Sequence, residues 1–151
     1  MFNLHGIKKV NMDKVVFIVE DDPIQQKVLQ RHFENMVGDF KVRTFSNPEE
    51  ILEHLHDKPF AIVLDHYFDG GNEKTGLEYL KVIKKKSGIP VIYYTSSDDS
   101  ELPQKVKKLG AVAFIHKDLS SFVRLRTTLD QLEAERAERE KKGFLKRFFK
   151  L

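Results

Sequence analysis

Residues 60 to 65 read Phe60-Ala61-Ile62-Val63-Leu64-Asp65, an apolar run that stops on a carboxylate. A run of this length with no charge inside it predicts a buried β-strand that delivers one acid to its carboxyl end. Three other stretches repeat the arrangement. VVFIV at 15–19 exits into Glu20, Asp21 and Asp22; VIYYT at 91–95 ends on Thr95; VAFI at 112–115 stops just before Lys117. If these strands run parallel, the polar groups gather along one edge of one sheet, where function is expected in an open α/β fold.

The segments between the strands carry helical signals. Asp22 and Pro23 make a cap and first helical position, and Ile24, Val28, Leu29, Phe33 and Met36 then recur on one face up to Gly38. FKVRTF at 40–45 alternates like a strand, and Asn47-Pro48-Glu49-Glu50 starts a second helix that Pro59 closes. Thr75 opens a third helix running to Gly88, Ser100 a fourth running to Gly110, and Ser120 or Ser121 a fifth with Phe122, Leu125, Leu129 and Leu132 on one face. Five alternations joined by connections too long for hairpins predict an α/β fold: a five-stranded, doubly wound parallel sheet with helices on both faces. The first, third and fourth strands, almost continuously apolar, are its centre.

The 151 residues suffice for one domain with an appendage, divided as an N-terminal extension (1–13), a domain (14–132) and a charged helical extension with an amphipathic tail (133–151). There is no cysteine, which excludes disulfides and thiolate metal sites. No apolar run approaches the roughly 20 residues that span a bilayer, and the first residues lack a secretory core, so a cytoplasmic location is expected. Formal charge is +3, but residues 124–151 hold nine Lys or Arg against five Asp or Glu, leaving the rest at −1. The basic excess therefore lies in the last helix rather than across the domain, and nucleic acid is not an expected partner.

Glu20, Asp21 and Asp65 at adjacent strand ends repel one another unless a cation is close. Magnesium, which takes one or two carboxylates, a carbonyl and several waters, suits such a set. Asp21 and Asp65 are the expected direct ligands, Glu20 acts through water, and the Tyr67 backbone carbonyl completes the shell. With the metal, Lys117 makes a pocket for a dianionic phosphoryl group; an ammonium about 4 Å from such a group contributes on the order of 4 kcal/mol before desolvation. Thr95 can donate its hydroxyl to a phosphoryl oxygen, and Asp65 can act as nucleophile to form an aspartyl phosphate. Taken singly, each residue has a plainer role: Asp22 is a helix cap, Thr95 a loop hydroxyl and Lys117 a counterion. It is their combination that points to chemistry.

This constellation resembles the receiver domain of response regulators in two-component signalling, over roughly residues 14–130. The acidic pair Glu20-Asp21, the phosphoacceptor Asp65, the switch Thr95 and Lys117 follow the first, third, fourth and fifth strands, and Phe114 matches the family's switch aromatic. The resemblance implies a flavodoxin-like sheet of order 2-1-3-4-5, phosphorylation by a histidine kinase or phosphotransfer protein, Mg²⁺ dependence and altered binding of a downstream protein partner. Two departures stand out. Asp118 replaces the proline usual after the lysine, which bears on the cis peptide of that loop, and the HYFDGGNEKT segment after Asp65 is longer than the family's. With too few residues after Leu132 to build an output domain, contact is the expected output. Two rival readings are a phosphorylation-independent binding module and a Mg²⁺-dependent phosphohydrolase. The latter chemistry commonly uses a second Asp where Tyr67 stands.

The last segment, after a polar stretch EAERAEREKK, should break at Gly143 and continue as FLKRFFKL. Phe144, Leu145, Phe148 and Phe149 share a helical face, and burying one such side chain is worth roughly 1.5–3 kcal/mol. The candidates to receive that face are the domain itself, a second copy in a homodimer, a partner groove, or an anionic membrane surface.

Overall fold

The computed structural model describes residues 12–36, 39–68 and 74–149. Five parallel strands, β1 (Val15–Val19), β2 (Lys41–Phe45), β3 (Ala61–Leu64), β4 (Val91–Thr95) and β5 (Ala113–His116), form one sheet in the order β2-β1-β3-β4-β5. Between and after them lie α1 (Pro23–Met36), α2 (Pro48–Glu53), α3 (Gly76–Lys86), α4 (Leu102–Lys108) and α5 (Ser121–Phe149). This is the doubly wound flavodoxin-like order expected above.

Alternation along the strands builds a core on each face. Phe17, Ile62, Leu64 and Tyr93 face one way, against Ile51 of α2, Leu80 and Ile83 of α3 and Val106 of α4. Val16, Ile18, Val63 and Ile92 face the other way, against Phe33 of α1 and Leu125 and Leu129 of α5. Because β1, β3 and β4 carry apolar residues on both faces, they must be covered twice, and they are the three interior strands.

Local signals account for three of the helix ends. Asp22 Oδ1 accepts the Ile24 N–H at 2.8 Å, and Asn47 caps α2 by accepting the Glu50 N–H at 3.1 Å. At the end of α4, Gly110 adopts φ +97°, and the Gly110 and Ala111 N–H groups return to the carbonyls of Lys107 and Val106. That double return is the left-handed glycine stop of a helix.

Three expectations are corrected. Ser100 does not cap α4: Glu101 stands at the cap position without a side-chain capping bond, and Asp99 ahead of it accepts the Glu101 N–H through Oδ1 and the Leu102 N–H through its carbonyl. Ile24 belongs to no buried face; it is 71% exposed, and Val28, expected on the same face, is 39% exposed. Gly143 does not interrupt the last helix, and α5 runs unbroken from Ser121 to Phe149. An interior glycine costs only about 1 kcal/mol, and the helix formers on either side outweigh it. Residues 1–11, Gly38, the centre of the loop after Asp65 (69–73) and residues 150–151, on which other expectations fell, lie outside the described residues.

Candidate functional site

Asp65 is the residue at which β3 stops, and backbone and side-chain contacts hold it from two sides. Its Oδ1 accepts the His66 N–H at 2.6 Å, and its Oδ2 accepts a hydrogen bond from Lys117 Nζ at 2.6 Å. Lys117 comes from the exit of β5, two strands away in the sheet, so only the parallel topology brings the pair together. The Lys117 N–H also donates to the Thr95 carbonyl at 2.9 Å, which fixes the backbone of the β5 exit to that of β4.

Behind the carboxylate the structure is closed. His66 is buried, and its Nδ1 lies 2.6 Å from the Tyr93 hydroxyl in the middle of β4. Burial favours the neutral forms of both rings, lowering the His66 pKa and raising that of the Tyr93 phenol. The start of α3 closes the same corner: the Gly76 N–H donates to the His66 carbonyl at 2.8 Å. A Cβ at position 76 would stand 2.0 Å from the Asp65 carbonyl oxygen and 2.5 Å from the Tyr93 hydroxyl oxygen, so only glycine fits. Neither the His66–Tyr93 pair nor the Gly76 contact is apparent from the sequence. The one available signal is an aromatic hydroxyl in the centre of an otherwise apolar strand, which needs a partner when buried.

In front of the carboxylate the structure is open. A cleft of about 460 Å³ is lined by Glu20, Asp21, Asp65, Tyr67, Lys117 and Asp118, among others. Burial and the neighbouring Asp21 charge push the Glu20 carboxyl up, against opposing backbone hydrogen bonds and Lys117. Among the described residues, no three carboxylate or imidazole groups converge on a single point. The expected magnesium set asks less than that, because two carboxylates and a carbonyl hold an ion that keeps several waters. The oxygen donors of Asp21, Asp65 and Tyr67 on one cleft fit it in chemistry, and the surplus of acid over the single Lys117 is the charge balance a divalent cation corrects.

The two remaining site residues stand apart from this cleft. Thr95 is fully buried, and its Oγ1 accepts the Ser97 N–H at 3.2 Å. Phe114 is half-buried, packed on the core with its ring stacked 6.2 Å from that of Tyr93 at 17° between planes. Asp118 holds the loop after Lys117: it accepts from the Ser120 N–H and hydroxyl and from Arg124, whose guanidinium also donates to the His116 carbonyl at 2.6 Å. The Arg124 and Ser120 hydrogen bonds hold its carboxyl down to about 2. No cis peptide occurs among the described residues, Lys117–Asp118 included. An ion-paired cap thus organises the start of α5 where the family's proline is missing.

Residues 16–130 match the family model of the response regulator receiver domain. The chain belongs to that family. Among curated relatives, this receiver chain is 29% identical over 117 residues to a probable C4-dicarboxylate response regulator, DctR, of Priestia megaterium, covering 77% of this chain and 50% of that protein. It is 28% identical over 137 residues to nodulation protein W of Bradyrhizobium diazoefficiens, covering 89% of this chain and 58% of that one. The receiver chain thus spans about half the length of the curated relatives it matches. Among solved structures, the receiver domain of Francisella response regulator 1452 superimposes with a TM-score of 0.69 at 20% identity, covering 81% of this chain and 98% of that one, a likeness of fold.

Proposed function

We propose that the receiver domain, residues 14–132, takes a phosphoryl group onto Asp65 from a histidine kinase or phosphotransfer protein and thereby changes its binding to a downstream protein. The observation that carries this reading is the setting of the Asp65 carboxylate. Buried groups fix it from behind, Lys117 neutralises it at 2.6 Å, and it opens in front onto a cleft lined with further acids.

In the transfer, an Asp65 carboxylate oxygen bonds to phosphorus as the donor's phosphorus–nitrogen bond breaks. The imidazole leaves with the electron pair, and Asp65 becomes an acyl phosphate. Asp21 and Asp65 with the Tyr67 carbonyl would hold Mg²⁺, Glu20 acting through water. The ion supplies charge neutralisation at the transferring group. Lys117 is already hydrogen-bonded to the oxygen beside which the new charge develops. Thr95, which uses its oxygen as an acceptor from Ser97, keeps its own proton to donate to a phosphoryl oxygen once the hydroxyl turns toward Asp65. As Thr95 turns, Phe114, which lies along Tyr93, moves inward. The surface made by α4, β5 and the start of α5 changes with it, a two-state shift biased by one covalent event. We place this exchange in the cytoplasm, where phosphohistidine donors and Mg²⁺ are available.

Incubation with Mg²⁺ and a small phosphodonor, followed by intact mass measurement, tests the proposal. One phosphoryl adduct is expected on the wild type and none on Asp65→Asn. An unmodified wild type, or an undiminished adduct on the variant, defeats it.

A further inference from the structure

The end of α5 presents an apolar face that the domain does not cover. Phe144, Phe148 and Phe149 are 55%, 62% and 63% exposed, and the Phe144 and Phe148 rings lean on each other, centroids 4.6 Å apart with 39° between planes, rather than on the core. Helix geometry explains why. At about 100° per residue, Phe144, Leu145, Phe148 and Phe149 point roughly 150° away from the stripe of Phe122, Leu125, Leu129 and Leu132 that packs on the sheet. Since α5 is continuous through Gly143, the face cannot turn back onto its own domain. The earlier turns do rest there, with Glu133 paired to Lys14 at 2.6 Å and Arg136 over the Phe60 ring at 6.0 Å.

Charge decides among the remaining occupants. Residues 141–149 contain Lys141, Lys142, Lys146 and Arg147 and no acid. On the helix, Lys146 borders the aromatic face on one flank and Arg147 on the other. A second copy would bring these cations against their like, and the apolar stripe that a coiled coil needs stops at Leu132. An aromatic face rimmed by basic side chains matches an anionic lipid surface: rings enter the interface while the cations reach the headgroups. No helix among the described residues is long and apolar enough to cross a membrane, so the contact lies in the interface plane.

We infer that the last turns of α5, through Phe144, Phe148 and Phe149 flanked by Lys146 and Arg147, form a docking element for anionic membrane surfaces. It is independent of phosphoryl chemistry at Asp65, and Asp65→Asn should bind vesicles as the wild type does.

The chain has no tryptophan, so Phe148→Trp gives the full chain a single reporter that keeps an aromatic in place. Titration with mixed phosphatidylcholine–phosphatidylserine vesicles should shift its emission to shorter wavelength, with at least tenfold weaker binding to pure phosphatidylcholine. Lys146→Gln with Arg147→Gln in that background should weaken binding by roughly 25-fold, about fivefold per cation removed. Val123→Trp, on the part of α5 beside the domain, should show no shift. The inference is overturned by no shift with anionic vesicles, by equal binding to both vesicle types, or by a vesicle-free shift that grows with protein concentration, which would assign the face to a second copy.

Discussion

Asp65 stands between two regions that differ in what holds them. Behind it, His66, Tyr93 and Gly76 are buried and joined by contacts of 2.6–2.8 Å, so the position of the carboxylate is set by packing. In front of it, Glu20, Asp21, Lys117 and Asp118 line an open cleft, and the interactions there are ionic and solvent-facing. The difference separates two jobs. The rear fixes where the carboxylate is and should matter for stability; the front sets what can approach it and should matter for phosphorylation.

The largest expected effect on stability comes from Gly76→Ala. The added methyl would meet the Asp65 carbonyl oxygen at 2.0 Å, and backbone must move to admit it. The cost should be about 3 kcal/mol or more, lowering the melting temperature by roughly 6–12 °C in calorimetry. Tyr93→Phe is milder but still aimed at the rear. It leaves the buried His66 Nδ1 without its hydroxyl partner at an expected cost of about 1–3 kcal/mol, measurable by urea denaturation. A cost as small as that of a surface substitution would mean the rear is not the rigid support described here.

Lys117→Ala probes the front. The pair it forms with Asp65 is partly exposed, the side chains being 40% and 26% accessible, so its loss should change stability by under about 1 kcal/mol. Adduct formation on Asp65 should nevertheless fall by an order of magnitude or more, since the cation beside the reacting oxygen is gone. The smallest effect belongs to Asp118. Its carboxyl is held at about 2, below the ordinary 3.8, by Arg124 and Ser120. A depressed acid stabilises the fold above its unfolded value and loses that contribution as pH falls through the folded one. The start of α5 should therefore loosen between about pH 4 and pH 2, seen as faster amide exchange at residues 120–124, and Asp118→Asn should remove the pH dependence.

Much of this arrangement was legible in the sequence because parallel topology turns strand ends into neighbours. Four apolar runs that end on Glu20-Asp21, Asp65, Thr95 and Lys117 identify the sheet edge and its residues without knowledge of any side-chain contact. Pairings that depend on three-dimensional approach were not legible. The Tyr93–His66 bond joins two residues whose only sequence signal is a hydroxyl within a strand. Gly76 looks like an ordinary helix start until the Asp65 carbonyl is placed beside it. The uninterrupted α5 was missed for a different reason: an interior glycine is a weak breaker, and a long helix already nucleated on the domain carries through it. Ile24 shows the converse error, since periodicity assigns a face to every apolar residue, including one that the fold leaves 71% exposed.

We propose that one carboxylate, Asp65, and not its acidic neighbours, takes the phosphoryl group. Acyl phosphates are reduced by borohydride, which converts the modified aspartate to homoserine and leaves free carboxylates untouched. Peptide mapping after phosphodonor treatment and reduction should place homoserine at position 65 alone. Homoserine at position 21 or another acid of the cleft, or none anywhere, would contradict the account.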